Sequence, residues 1–395
     1  MKELPGVWCR SLFTAMCSIF LLLYGRGCMA DLPTYPEPPV IKYKFQLPPG
    51  KLPWPHQSPD LTKDEYDSLV DSIWIIQNYG ENEGGDNSES GPDFLHDGLD
   101  IVVEKQGTKI YAVDSGYVRQ ASGGVVSVSN SSDPFAKERV EWGYAHVGNY
   151  QVRVGQRVAQ GQHLADETFD GLQHVHLTRC VAGNGWNYVQ GTTDPTACED
   201  FFEYRDADPP IIDSEFYFFK NNSDERILGS ADGRMVVSGE VDIVVGIREV
   251  GQYAHSKYPN QQTFGDRLAV AGASYVISGN GIVSHEVDAV DFRKLNIYQE
   301  TGVQTASFLY KPHWLLSSDP SWNKRFSYYI LSNFDGQIKD HFLRNLDPNN
   351  CWRTNQKDQS GRSQFPNGMY TVTVTVWDAK GNQATASMQV SVENP

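Results

Sequence analysis

The chain has 395 residues, six cysteines and a formal charge of −16 at pH 7. That length exceeds one ordinary domain and leaves ample apolar content for more than one core. The acidic balance disfavours nucleic acid or an anionic membrane face as a partner, and many glycines, tyrosines and tryptophans with few long helical patterns point to mainly β structure.

The first thirty residues read as a signal peptide. Lys2 and Arg10 precede an apolar core from Ser11 to Tyr24, too short for a comfortable transmembrane span. A small-residue site at Cys28-Met29-Ala30 would release a chain starting near Asp31, secreted or periplasmic; an uncleaved anchor ranks second and lipidation at Cys28 last. Cys180, Cys198 and Cys351 then remain. The first two flank a Gly/Asn/Trp-rich loop and could close a short disulfide, leaving Cys351 unpaired. Residues 31 to about 60 are proline-rich and read as an extended linker. Thr62-Lys63-Asp64-Glu65 is a capping box. Tyr66, Leu69, Val70, Ile73 and Ile76 follow at helical spacing, so a helix is expected to run on until Gly80 and to pack one face on the following sheet.

A polar loop, Gly84 to Pro92, leads into His96-Asp97-Gly98-Leu99-Asp100, and Asp100 opens a strand-like run. Strands are expected over Thr108 to Val113, Gly116 to Arg119, Val125 to Ser129 and Arg139 to Val147, as an antiparallel series. Tyr144-Ala145-His146 lies in the last of these, and His174-Val175-His176 follows. Residues two apart in a strand share a face, so His174 and His176 point one way and Val175 the other. A catalytic zinc takes three His/Asp/Glu ligands and keeps a fourth position for water. His96, Asp100 and one histidine of the later pair fit that set, while the other stands close enough to handle a proton. Either short motif alone is a weak signal, and their ordered combination is a strong one. His163, after Gly161-Gln162, reads as a solvated loop residue rather than a ligand.

Residues 90 to 180 resemble the lysostaphin/LytM-type zinc endopeptidases, peptidoglycan hydrolases built on a duplicated hybrid motif. The resemblance implies zinc ligation by His96, Asp100 and His176, and a catalytic pair, His146 and His174. It implies an antiparallel β-sheet catalytic domain and hydrolysis of peptide bonds in peptidoglycan cross-links or stem peptides. The chain departs from the family pattern before the later histidine pair, where Asp166 to Asp170 is acidic rather than rich in Gly, Ser and Thr, and after it, where Leu177 stands in place of an aromatic. Two other readings are the same site acting on extracellular proteins, and a non-catalytic wall-binding or activator protein of this fold; the complete set of five residues argues against the second.

From about Ala207 alternating apolar strands dominate. Residues 61–206 are therefore expected to form the catalytic domain and 207–395 an accessory domain resembling the immunoglobulin-like β-sandwich modules of secreted enzymes. Its clearest signal is a hairpin around Asp378 to Asn382, with Glu240 to Val250 as a further strand. His285, Glu286, Asp288 and Asp291 read as solvated strand charges rather than a second metal site. Trp314, Trp322 and Trp352 read as core rather than a sugar-stacking surface.

Overall fold

The computed structural model describes residues 35–395 apart from 84–93, 103–107, 134–135, 137–138, 169–173, 183–188, 194–200, 231–232, 250–267, 284–285, 293–301, 313–314, 317–325 and 335–345. The expected signal peptide over residues 1–30, the Gly84 to Pro92 loop, Cys198, His285, Trp314 and Trp322 lie outside the described residues. Residues 38–395 form one compact unit.

The architecture is mainly antiparallel β. Helix α1 (Lys63–Ser72) starts at the expected capping box, with the Thr62 side chain accepting from the Glu65 backbone and Glu65 Oε2 accepting from Thr62 N at 2.8 Å. It ends at Ser72 rather than Gly80. Trp74–Gln77 is strand β1 instead, paired antiparallel with β4 (Leu99–Val102). The apolar run at 73–76 is β-branched and aromatic, which disfavours helix and suits a buried strand. Two short strands, β2 (Asn82–Glu83) and β3 (Phe94–Leu95), pair with each other between them.

The remaining strands of this part are β5 (Lys109–Tyr111), β6 (Gly116–Ser122), β7 (Val125–Ser129), β8 (Val140–Ala145), β9 (Val147–Gly148), β10 (Arg157–Val158), β11 (His163–Glu167), β12 (Val175–Ala182) and β13 (Val189–Thr193). The main sheet runs β1-β4-β12-β8-β7-β6-β10, with β13 also pairing β12, and β5-β11-β9 forms a small second sheet. Leu99, Ile101, Val126, Tyr144, Val175 and Leu177 from the first sheet and Ile110, Leu164 and Ala165 from the second close one core. His163 opens β11, half-buried, and its Nε2 lies 2.8 Å from Asp166 Oδ1.

The proline-rich stretch, expected as an extended linker, packs its end over residues 53–57 into this core. Trp54 is buried and stacks on Phe202 at 4.5 Å, donating from Nε1 to the Glu203 carbonyl at 2.8 Å. His56 Nε2 meets Glu167 Oε1 at 2.6 Å, with both side chains fully buried. Its prolines hold the backbone extended, and Trp54, Phe45 and Leu52 between them supply the apolar area that anchors it.

Beyond Ala207 two sheets share a second core. One holds Ile211–Lys220, Arg226–Ile227, Glu240–Arg248, Ser327–Ile330 and Trp352–Arg353; the other holds Val236–Val237, Gly272–Gly279, Ile282–Val283, Val287–Asp291, Gly368–Trp377 and Gln383–Val392. Val241, Ile243, Val245 and Ile247 of the first face Val372, Val374 and Val376 of the second, with Trp352 in the core. The expected hairpin turn is held by Asp378, whose Oδ1 accepts from the backbone of Lys380 and Asn382 at 2.7 and 2.9 Å. Tyr79 and Leu95, though they precede residue 207, belong to this second core.

Two stability predictions follow from buried polar groups. His56→Ala removes the partner of Glu167 inside the core and is expected to cost about 2–4 kcal/mol, with His56→Leu/Glu167→Leu recovering most of it; the urea midpoint measures both. Burial raises Asp242 from 3.8 to about 6, although Asn222 N and Ser332 Oγ donate to it. An acid whose pKa is higher in the folded than in the unfolded state costs stability once pH exceeds the folded value. That cost fades below the unfolded value. Asp242→Asn should therefore raise the melting temperature by scanning calorimetry at about pH 8, with the gain gone at about pH 4.

Candidate metal centre

Strand register brings the motifs together. β12 lies between β4 and β8, with His176 paired to Asp100 on one side and to Ala145 on the other. Val175 and Leu177 enter the core, as do Leu99 and Ile101, so His176 and Asp100 face outward side by side. His146 follows Ala145 at a left-handed backbone position, φ 61°, which turns the chain from β8 into β9. Thr168 fixes that turn, donating to the His146 carbonyl from both its amide and its hydroxyl at 2.9 Å.

His96 Nε2, Asp100 Oδ1 and His176 Nδ1 converge. Their separations are 3.0 Å between the two nitrogens, 2.7 Å from His176 to Asp100 and 3.3 Å from His96 to Asp100. A tetrahedral ion with bonds of about 2.0–2.1 Å spaces its ligands about 3.3 Å apart, so this triangle fits one with little adjustment. The outer ring nitrogens are also engaged. His96 Nδ1 donates to the Asn78 carbonyl at 3.1 Å, and His176 Nε2 donates to Asp97 Oδ1 at 3.1 Å. With the far nitrogen donating, the converging one is the atom that offers its lone pair when an ion displaces its proton, as a metal-binding imidazole requires.

The electrostatics favour a cation there. Burial alone would raise Asp100, but His96 and His176 beside it outweigh that and hold its carboxyl well below the usual carboxylate range. Burial likewise pulls His176 down, and the bonds to Asp100 and Asp97 overcome it and push the imidazole well above its ordinary value. Gly98 makes the close packing possible, because a Cβ there would stand 2.5 Å from the Leu177 carbonyl and 3.0 Å from the His176 ring.

All five residues of the two motifs and the Tyr-Ala-His segment come together. The rings of His146 and His174 stand 4.4 Å apart between centroids, and His174 Nε2 is 3.5 Å from Asp100 Oδ2. The acidic run Asp166 to Asp170 divides. Asp166 and Glu167 end β11, Asp166 bonded to Asn149 at 2.5 Å and Glu167 buried against His56, while 169–173 lie outside the described residues. Sequence reasoning missed Asp97, Asn78 and Thr168. Asp97 alone carried a local signal, since it sits inside the first motif. Asp97→Ala is expected to keep the fold and to weaken divalent-metal affinity about 10–100-fold, measured by competition with a chromophoric chelator.

Residues 94–187 match peptidase family M23. Among solved structures, the chain is similar to the catalytic domain of the antimicrobial peptidase lysostaphin from Staphylococcus simulans, at 23% identity over 30% of this chain and 86% of that one, with a TM-score of 0.22. LytU gives 26% identity over 31% and 81%, with a TM-score of 0.24. A zinc-containing peptidase from Vibrio cholerae gives 19% over 30% and 38%, with a TM-score of 0.20. No curated protein matches the sequence. Residues 94–187 thus match peptidase family M23, and the histidine motifs they hold resemble those of the lysostaphin/LytM type.

Proposed function

We propose that this chain is a zinc metalloendopeptidase that acts outside the cytoplasm on the peptide bonds of bacterial peptidoglycan cross-links or stem peptides. The observation that carries the reading is the convergence of His96 Nε2, Asp100 Oδ1 and His176 Nδ1 beside a second pair of imidazoles. His96, Asp100 and His176 would hold the ion. Zinc supplies Lewis acidity, polarising a carbonyl and lowering the pKa of water.

The protein's own part is to move protons and to hold charge. His146 and His174 lie ring beside ring at the edge of the ligand triangle, within reach of a water approaching a carbonyl there. One of the two takes the proton of the attacking water as general base; the other donates a hydrogen bond to the developing oxyanion. Asp100 Oδ2 faces His174 Nε2 and orients that ring, so the ligand carboxylate serves both sets. The family match and the export-type N-terminus support a wall substrate, and among the described residues no helix is long and apolar enough to cross a membrane.

The purified chain, incubated with peptidoglycan sacculi with and without a zinc chelator, should release peptide-cleaved muropeptides, by mass spectrometry, only without it. Absence of release from zinc-loaded protein that still cleaves an extracellular protein substrate would move the reading to that substrate class. His176→Ala should lose both zinc and turnover. His146→Ala should keep zinc and lose about 10²–10⁴-fold in rate, so full turnover in metal-free His176→Ala would overturn the mechanism.

A further inference from the structure

Residues 78–81 form a collar around His96. Gly80 N donates to the His96 carbonyl and His96 N to the Glu81 carbonyl, each at 2.8 Å, while the Asn78 carbonyl receives the His96 Nδ1 proton at 3.1 Å. Both backbone polar groups of His96 and its outer ring nitrogen therefore rest on this one turn. Asn78 N closes the turn by donating to Glu81 Oε2 at 3.3 Å.

The collar in turn is fixed by residues far along the chain. The Asn78 side chain makes a two-point amide pair with Ala269, donating Nδ2 to its carbonyl and accepting its N–H at Oδ1, both at 2.7 Å. Tyr310 donates its hydroxyl to the Gly80 carbonyl at 2.7 Å in a buried position. Phe292 closes the remaining side. Gly80 sits at φ 89°, and a Cβ there would lie 2.5 Å from the Phe292 ring, while Tyr79 meets the same ring edge-on at 6.4 Å between centroids. Ala269, Phe292 and Tyr310 all belong to the second core. Leu95, the residue before His96, is buried in that core as well.

We infer that Asn78 is a positioning residue that ties the proposed zinc ligand His96 to the second core, so that Ala269, Phe292 and Tyr310 are a working part of the proposed metal centre rather than of an appended module. The inference rests on the proposed zinc ligation by His96. A two-point bond fixes the peptide plane whose carbonyl holds the His96 ring, and outer hydrogen bonds of this kind orient metal ligands and set their basicity. A core that merely supported the fold would change melting temperature without changing the zinc affinity of folded protein.

The test is zinc affinity of the full chain, read by competition with a chromophoric chelator, alongside circular dichroism and melting temperature. Asn78→Ala keeps the carbonyl that faces His96 and removes the two hydrogen bonds to Ala269; zinc affinity is expected to fall about tenfold or more. Tyr310→Phe, which removes one hydroxyl, should weaken zinc in the same direction by less, and carries the test if Asn78→Ala does not fold. Val374→Ala, buried in the second core on Gly368–Trp377, which makes none of the hydrogen bonds to the collar given above, should lower the melting temperature and leave zinc affinity unchanged. Unchanged affinity in folded Asn78→Ala and Tyr310→Phe overturns the inference, as does an equal loss in Val374→Ala. Absence of zinc binding by the wild-type chain overturns the metal centre itself, a result distinct from either.

Discussion

Because Val175 and Leu177 are buried on one side of β12, His176 must emerge on the other, and the pairing of β12 with β4 and β8 then decides what it meets. A slip of one residue in either pairing would exchange the two faces and send His176 or Asp100 into an apolar core. Register here is set by core burial rather than by the polar residues themselves. Asp100 and His176, 76 residues apart in sequence, reach 2.7 Å because the aliphatic residues on either side of each have nowhere else to go. The site is thus a by-product of the core in position, though not in chemistry.

The chemistry depends on a balance of charge. Desolvation would draw the proton from His176 and press one onto Asp100; placed together they stabilise each other's charged forms. Asp97 and the Asn78 carbonyl complete the arrangement by holding the outer nitrogens. One contact is a proton acceptor with charge and the other a neutral peptide group, so the two histidines are not equivalent. His176 sits between two carboxylates, whereas His96 sits between one carboxylate, Asp100, and a backbone carbonyl.

Much of this was legible in the sequence where it is local. The capping box at Thr62, the strand Val125–Ser129, the hairpin about Asp378 and the shared face of His174 and His176 each follow from spacing over a few residues. The end of α1 was not, because residues 73–76 satisfy both a helical and a strand pattern and only pairing with β4 decides between them. Nor was the burial of His56 against Glu167, 111 residues away, or of the proline-rich stretch around Trp54. Proline fixes an extended backbone but says nothing of what that backbone packs on. Asn78 carried no signal at all, since its partner lies 191 residues further on.

That last separation bears on what counts as the catalytic unit. The family match begins at residue 94, within two residues of His96, so the turn that holds this histidine lies outside the matched segment. In a protein made of the matched segment alone, the His96 amide, carbonyl and outer ring nitrogen would need other partners. Here they are met by a turn that precedes the segment, and that turn is held by Ala269, Phe292 and Tyr310, which follow it. Leu95 and His96 are adjacent in sequence yet belong to the second core and the candidate metal centre respectively, so no cut between the two parts leaves both satisfied. A boundary near residue 207, natural from composition, therefore separates strands without separating the contacts that hold His96.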